Sequence, residues 1–310
     1  MLNQLPKLLN YINDSGLFNP YHMPFCAKFT RNLKLYYNSD KNKGFFVKVC
    51  LNNRARREYN ALKFIYSKIN SHVPEPLLFL ETQDLTAYVS PLYQFKSLNY
   101  NNFFLNPFLN QVYEILCMGV VFRDDYPHSF VRADSVQLDQ LKLFAISEKI
   151  IDKESNCCIN YINHCYSQLS SMNQIPQHGD VTPYNFTAEG KTVFLCDWED
   201  FGMICFPGFD LATFILEMAR KAELYEELAT IPNVLNNPVL RKITDKVLPS
   251  RDLDLKQWQL FFPFYILLFL YLKKKLDYSS EYCYMLFKFL NTIFNAKKWQ
   301  KCFKDGTIKS

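Results

Sequence analysis

The chain has 310 residues, long for one compact domain and about right for two lobes. Hydrophobic residues make up 49% of it, with 28 Phe and 20 Tyr, which supplies core material and excludes disorder over most of the length. A net charge of +5, from 35 basic against 30 acidic residues, is too small an excess to mark nucleic acid as a ligand.

The opening MLNQLPKLLNYINDSG lacks the charged, apolar, small-residue order of a secretory signal, and the ten cysteines follow no framework spacing. Reduced thiols in a cytoplasmic protein are therefore expected. From Phe25 to Cys50 the chain alternates as strand material, with NLKLYY and GFFVKVC on either side of the turn-like NSDKNKG. A helix of about four turns follows in NNRARREYNALKFIYSKIN, with Leu62, Ile65 and Ile69 on one face. VPEP stops it, and LLFLE and LTAYVSPLY read as two more strands. Residues 1–91 thus form a small lobe of strands and one helix.

Residues 92–310 are expected to be mainly helical, with helices from Phe104 to Gly119, Val136 to Ile151 and Asn156 to Met172. Cys157, Cys158, His164 and Cys165 do not have a usual zinc spacing and read as helix packing. The exception to helix is a hairpin, FTAEG and KTVFLCD, turning at Glu189 and Gly190. Leu260 to Leu272 is almost wholly apolar but only 13 residues long, short of the roughly 20 that cross a bilayer. A buried helix is the first reading. Peripheral membrane contact through Lys273, Lys274 and Lys275 is the second.

Two motifs flank that hairpin: HGDVTPYN, from His178 to Asn185, and CDWED, from Cys196 to Asp200. Asp180 and Asn185 stand five apart in a loop, so one segment offers a carboxylate and an amide oxygen. Asp197 follows the strand VFLC and can offer a second carboxylate to the same metal. An acid near an acceptor hydroxyl, oxygen ligands for magnesium and a cation for phosphates are what phosphoryl transfer from ATP requires.

The combination resembles the aminoglycoside phosphotransferase and choline kinase group of protein-kinase-like enzymes. In that group HGD or HND is followed by Asn, by a strand ending in IDW or IDxE, and by a DLA-like element. Here these are His178-Gly179-Asp180, Asn185, Asp197-Trp198-Glu199 and Asp210-Leu211-Ala212. The resemblance implies an α+β, bilobal protein-kinase-like fold: a small N-terminal lobe of antiparallel sheet plus one helix, and a larger helical C-terminal lobe. It implies ATP and Mg2+ as cofactors and Asp180 as the catalytic acid. Asn185 and Asp197 become the metal ligands, His178 and Asp210 support the catalytic loop, and Glu199 lies near the metals. Lys48 in FFVKVC and Glu58 in RREYNALKF match the phosphate-binding lysine and its glutamate partner, and backbone at Val89, Ser90 and Leu92 falls where adenine is met.

Only 12 residues separate Asp197 from Asp210, too few for a segment that docks polypeptide, so a small acceptor is expected. Polycationic aminoglycosides call for a strongly acidic pocket, which this basic chain does not advertise. The wording HGDVTPYN and DWEDFG is most similar to members associated with cell-surface polysaccharide, which implies a sugar or glycan precursor. Arg123, Asp124, Asp125 and His128 form a polar stretch that reads first as a solvent-exposed loop and second as lining of the acceptor pocket. No glycine occurs between Phe18 and Asp40, so the phosphate-covering turn falls to PFCAKFTRN, with Thr30 or Asn32. That feature supports the alternative of an inactive kinase-like binding protein; an antibiotic or amino-alcohol kinase is a further alternative.

Overall fold

Strand periodicity dominates the first part of the chain and helical periodicity the second. The computed structural model describes residues 10, 14, 26–29, 33–38, 44–51, 53–83, 85–93, 96–97, 108–118, 137–152, 156–230, 238–276 and 279–305. Thr30, Asn32, Arg123, Asp124, Asp125 and His128 lie outside these residues. Two units result, one drawn from Met1–Leu98 and Tyr184–Phe201, the other from Asn99–Pro183 and Gly202–Ser310. The sequence places its boundary after residue 91; in the structure the β-hairpin that follows HGDVTPYN groups with the N-terminal unit.

In the first unit, β1 (Cys26–Phe29), β2 (Leu33–Asn38), β3 (Gly44–Leu51), β4 (Leu78–Glu81) and β5 (Leu85–Leu92) form an antiparallel sheet in the order β1-β2-β3-β5-β4. The expected hairpin is β2 against β3, in register from Leu33 opposite Val49 to Asn38 opposite Gly44. Within the strand material read from Phe25 onward, CAKF supplies β1, because it extends the ladder alongside β2 from Cys26↔Tyr36 to Phe29↔Leu33. Val47 and Val49 on β3 and Ala87 and Val89 on β5, neighbouring inner strands, are wholly buried.

Helix α1 (Arg54–Lys68) buries Ala55, Glu58, Leu62 and Ile65, a stripe spaced three and four apart. A glutamate therefore sits within the core-facing stripe. β6 (Lys96–Ser97), β7 (Phe186–Glu189) and β8 (Thr192–Leu195) make a second, three-stranded sheet. The β7–β8 turn uses Gly190 at φ +59°, a left-handed conformation that glycine adopts without steric cost.

The second unit contains α2 (Phe108–Cys117), α3 (Leu138–Ser147), α4 (Asn156–Ser171), α5 (Phe209–Lys221), α6 (Tyr225–Thr230), α7 (Pro238–Val247), α8 (Leu255–Lys275), α9 (Ser280–Asn295) and α10 (Lys297–Asp305). On α4, Cys158 and Cys165 are buried, Cys157 is half-buried and His164 is exposed, so the four do not share one face. Nine cysteines, from Cys50 to Cys302, are free thiols.

The apolar stretch is part of α8, which runs 21 residues and is long and apolar enough to cross a membrane by length and composition. Its side chains are instead mostly buried within the unit, Phe262, Phe264 and Phe269 completely, each worth about 2 kcal/mol of apolar burial. Asp254 and Gln257 start it with a reciprocal capping box. Proline at position 263 should break such a helix. Tyr161 repairs it: its hydroxyl donates to the Leu260 carbonyl at 2.7 Å and accepts from the Phe264 N–H at 3.2 Å. The helix can then continue for three more turns and present its terminal lysines.

Candidate active site

In the first unit, the chemistry gathers around Lys48. It lies on inner strand β3 and is only 2% exposed. Its ammonium donates to Glu58 Oε2 at 2.6 Å, to Asp197 Oδ1 at 2.6 Å and to Glu199 Oε2 at 3.2 Å. Glu58 arrives from the buried stripe of α1, and its other oxygen accepts the Tyr88 hydroxyl at 2.9 Å from β5. Glu199 also has Arg54 Nη1 at 4.0 Å. Burial alone would pull the Lys48 ammonium down, but Asp197, Glu58 and Glu199 together hold it well above the usual lysine range. Burial pushes the Glu58 carboxyl up, with Lys48 opposing.

Asp197 leaves β8 in the left-handed region, φ 68° and ψ 56°. Such a backbone is strained for a residue other than glycine, and aspartate is among those that tolerate it. Its side chain is 33% exposed, against 5% for Glu199 and 2% for Glu58, so it is the member of the cluster that faces outward. Asn185 is brought alongside by β-pairing, since the Cys196 N–H donates to its carbonyl at 2.9 Å.

Oxygen atoms of Glu58, Asp197 and Glu199 lie within 4.8 Å of one another. Three carboxylates face one lysine, leaving an excess of negative charge that a divalent cation would relieve. Hard oxygen donors of this kind suit Mg2+.

In the second unit, Asp210 organises the HGD loop. Its Oδ2 accepts the His178 N–H at 2.7 Å and its Oδ1 the Gly179 N–H at 3.0 Å. Burial pushes the Asp210 carboxyl up, while His178 and these two donors oppose the rise. Gly179, at φ +89°, makes the bend that points both N–H groups at one carboxylate. His178 is buried, and its Nδ1 accepts the Asp180 N–H at 3.2 Å. Gln177 ties the loop down further, donating its N–H to Ile204 and accepting that of Gly202.

Asp210 is itself fixed by the start of α5. Gly208 precedes that helix at φ +84°, and an added Cβ there would meet Leu253 Cδ1 and Trp258 Cδ1 at 2.9 Å. From α8, Trp258 donates to the Gly208 carbonyl at 3.1 Å and Tyr265 to that of Pro207 at 2.6 Å.

Asp180 has a partner that the motif does not reveal. Lys273, fully buried on α8, places its ammonium 3.0 Å from Asp180 Oδ2. The lysine triplet thus divides, for Lys274 pairs with Glu148 and Lys275 lies over the Tyr271 ring. Glu217, Tyr282 and Tyr88 were likewise not anticipated. Tyr88 sits in the recognisable strand LTAYVSPL, whereas nothing local to Glu217, Lys273 or Tyr282 marks them.

Among the residues expected at adenine, Val89 is wholly buried between Val47 and Leu78, with its carbonyl accepting the Leu77 N–H at 2.9 Å. Ser90 and Leu92 lie beyond the end of β4, where β5 is paired only with β3.

No protein-family model and no curated protein matches the sequence. Among solved structures, a choline kinase from Cryptosporidium parvum Iowa II is similar at 14% identity and a TM-score of 0.60, covering 97% of this chain and 97% of its own. A choline/ethanolamine kinase family protein from Mesorhizobium loti gives 14% and 0.54, with 98% of both chains covered. An aminoglycoside phosphotransferase from Streptomyces rimosus, in complex with ADP and streptomycin, gives 12% and 0.54 over 86% of this chain and 97% of that one. At these identities the likeness establishes the fold, which is the bilobal, protein-kinase-like one.

Proposed function

We propose that this protein-kinase-like chain is an ATP- and Mg2+-dependent O-phosphotransferase acting on a hydroxyl of a small molecule, a sugar or glycan precursor. The observation that carries the reading is Lys48 held by Glu58 from one side while also bound to the more exposed Asp197. A lysine so placed is a ready partner for the α and β phosphates, with Glu58 keeping it in position. Asp197 and Asn185 would hold Mg2+, with Glu199 close by; the ion, when bound, neutralises charge that develops on the phosphates. Of the three positions expected at adenine, the backbone of Ser90 and Leu92 would meet it, Val89 being enclosed between its neighbours in the sheet.

Asp180 orients the acceptor hydroxyl and takes its proton, while His178 and Asp210 hold its loop. The short span from Asp197 to Asp210 favours a small acceptor over a polypeptide.

A thermal-shift titration with ATP and Mg2+ tests the nucleotide half: ligand at a hundredfold its Kd should stabilise the protein by about 2.7 kcal/mol. Asp197→Asn should remove most of that shift. For the chemistry, labelled ATP and a metabolite pool are the substrates, with products read by mass spectrometry. Asp180→Asn should keep the nucleotide shift and slow transfer by about 10²- to 10⁴-fold. Full-rate transfer by a folded Asp180→Asn variant would sink its assignment. A second reading, an inactive binding module, is favoured by the lack of glycine between Phe18 and Asp40. No stabilisation by millimolar nucleotide is the outcome that supports it.

A further inference from the structure

Lys273 lies 93 residues beyond Asp180, outside every motif named above. Its ammonium is nevertheless 3.0 Å from Asp180 Oδ2, with the lysine side chain fully buried and that of Asp180 only 13% exposed. Phe269, one turn earlier on α8, places its ring 5.0 Å from the same ammonium. That ring also meets Tyr282 edge-on at 6.2 Å. The Tyr282 hydroxyl donates to Glu217 Oε1 at 3.1 Å, and Arg220 donates twice to Glu217 Oε2, at 3.1 and 2.9 Å. Burial, then Glu217 and Asp180, push the Tyr282 phenol well above its ordinary range.

Each carboxylate in this group is thus matched by a cation of the chain: Asp180 by Lys273 and Glu217 by Arg220. A lysine is costly to bury unless its charge is paired, so the geometry makes Asp180 and Lys273 mutually dependent. An alcohol bearing its own ammonium would have to approach Asp180 beside a fixed like charge. A neutral hydroxyl compound would not.

Resting on the phosphotransferase reading above, we propose that Lys273 is a positioning residue that fixes the Asp180 carboxylate and restricts the acceptor to hydroxyl compounds without a positive charge.

A thermal double-mutant cycle on the full chain tests the pairing without any turnover. Lys273→Met should lower Tm, and adding Asp180→Asn should recover much of the loss; additive shifts would overturn the pair. With labelled ATP and a panel of neutral sugars and polyols set against choline, ethanolamine and an aminoglycoside, the neutral acceptors should lead in kcat/KM by at least about tenfold, since setting like charges side by side is the costlier arrangement. Lys273→Met should lower kcat by about 100-fold while KM for ATP holds, as expected for a misplaced catalytic group, and Lys273→Arg should restore part of kcat. Faster turnover of a cationic alcohol by the unaltered protein, or a Lys273→Met variant with undiminished kcat, would overturn the proposal. Transfer to nothing in the panel would reject the phosphotransferase reading and the acceptor class together, whereas the thermal cycle still decides the ion pair.

Discussion

Two buried lysines, Lys48 in the first unit and Lys273 in the second, show two ways of placing a cation among carboxylates. Lys48 is shared by Glu58, Asp197 and Glu199, so carboxylates outnumber the ammonium they share, and on the function proposed above a further cation would complete the cluster. Lys273 serves Asp180, and the pair is charge-balanced. An unbalanced cluster suits binding a nucleotide with its metal, because the ligand completes it. The balanced pair suits holding one carboxylate still, because nothing further needs to bind.

The most severe way to break the first arrangement is Lys48→Met, which leaves three carboxylates without their shared cation. A loss of about 3–5 kcal/mol in urea unfolding is expected. Its pH dependence sharpens the contrast. Glu58 is raised in the folded chain, so the stability linked to its proton is present below the ordinary glutamate value and lost as pH rises through the folded value. Without Lys48 to oppose that rise, the variant should weaken more than the unaltered protein as pH climbs above the ordinary glutamate value of about 4.5. Lys48 itself is raised, so its contribution persists at neutral pH and disappears only well above about pH 10.4.

A milder break is Tyr88→Phe, which removes one hydroxyl donor from buried Glu58 at the cost of about 1–2 kcal/mol. The smallest effect should come from Arg241→Ala on α7. Arg241 pairs with Asp245 one turn on, both about half exposed, and its loss should shift stability by about 0.4 kcal/mol. If Arg241→Ala matched Lys48→Met, burial would not be what distinguishes these pairs.

Much of this was legible in the sequence. Alternation predicted β2, β3, β4, β5 and the β7–β8 hairpin, helical spacing predicted α1, and the family resemblance, not the spacing, pointed to Glu58 as the partner of Lys48. Alternation marked strand material from Phe25 onward, but the limits of β1 within PFCAKFTRN were not legible, because a four-residue edge strand is defined by the neighbour it pairs with more than by its own pattern. The lysine triplet after Leu272 looked like one charged tip. Only the direction of each side chain around α8 separates Lys273, turned inward to Asp180, from Lys274, turned to Glu148.

The sequence by itself determined most of the elements and placed the carboxylates and amide of HGDVTPYN and CDWED on either side of one hairpin, since periodicity and short-range spacing are properties of the chain alone. Tertiary structure decided which carboxylates share Lys48 and that Asp180 is matched by a lysine 93 residues away. Such pairing depends on where helices pack, and α8 reaches its place only because Tyr161 restores the hydrogen bonding that Pro263 interrupts.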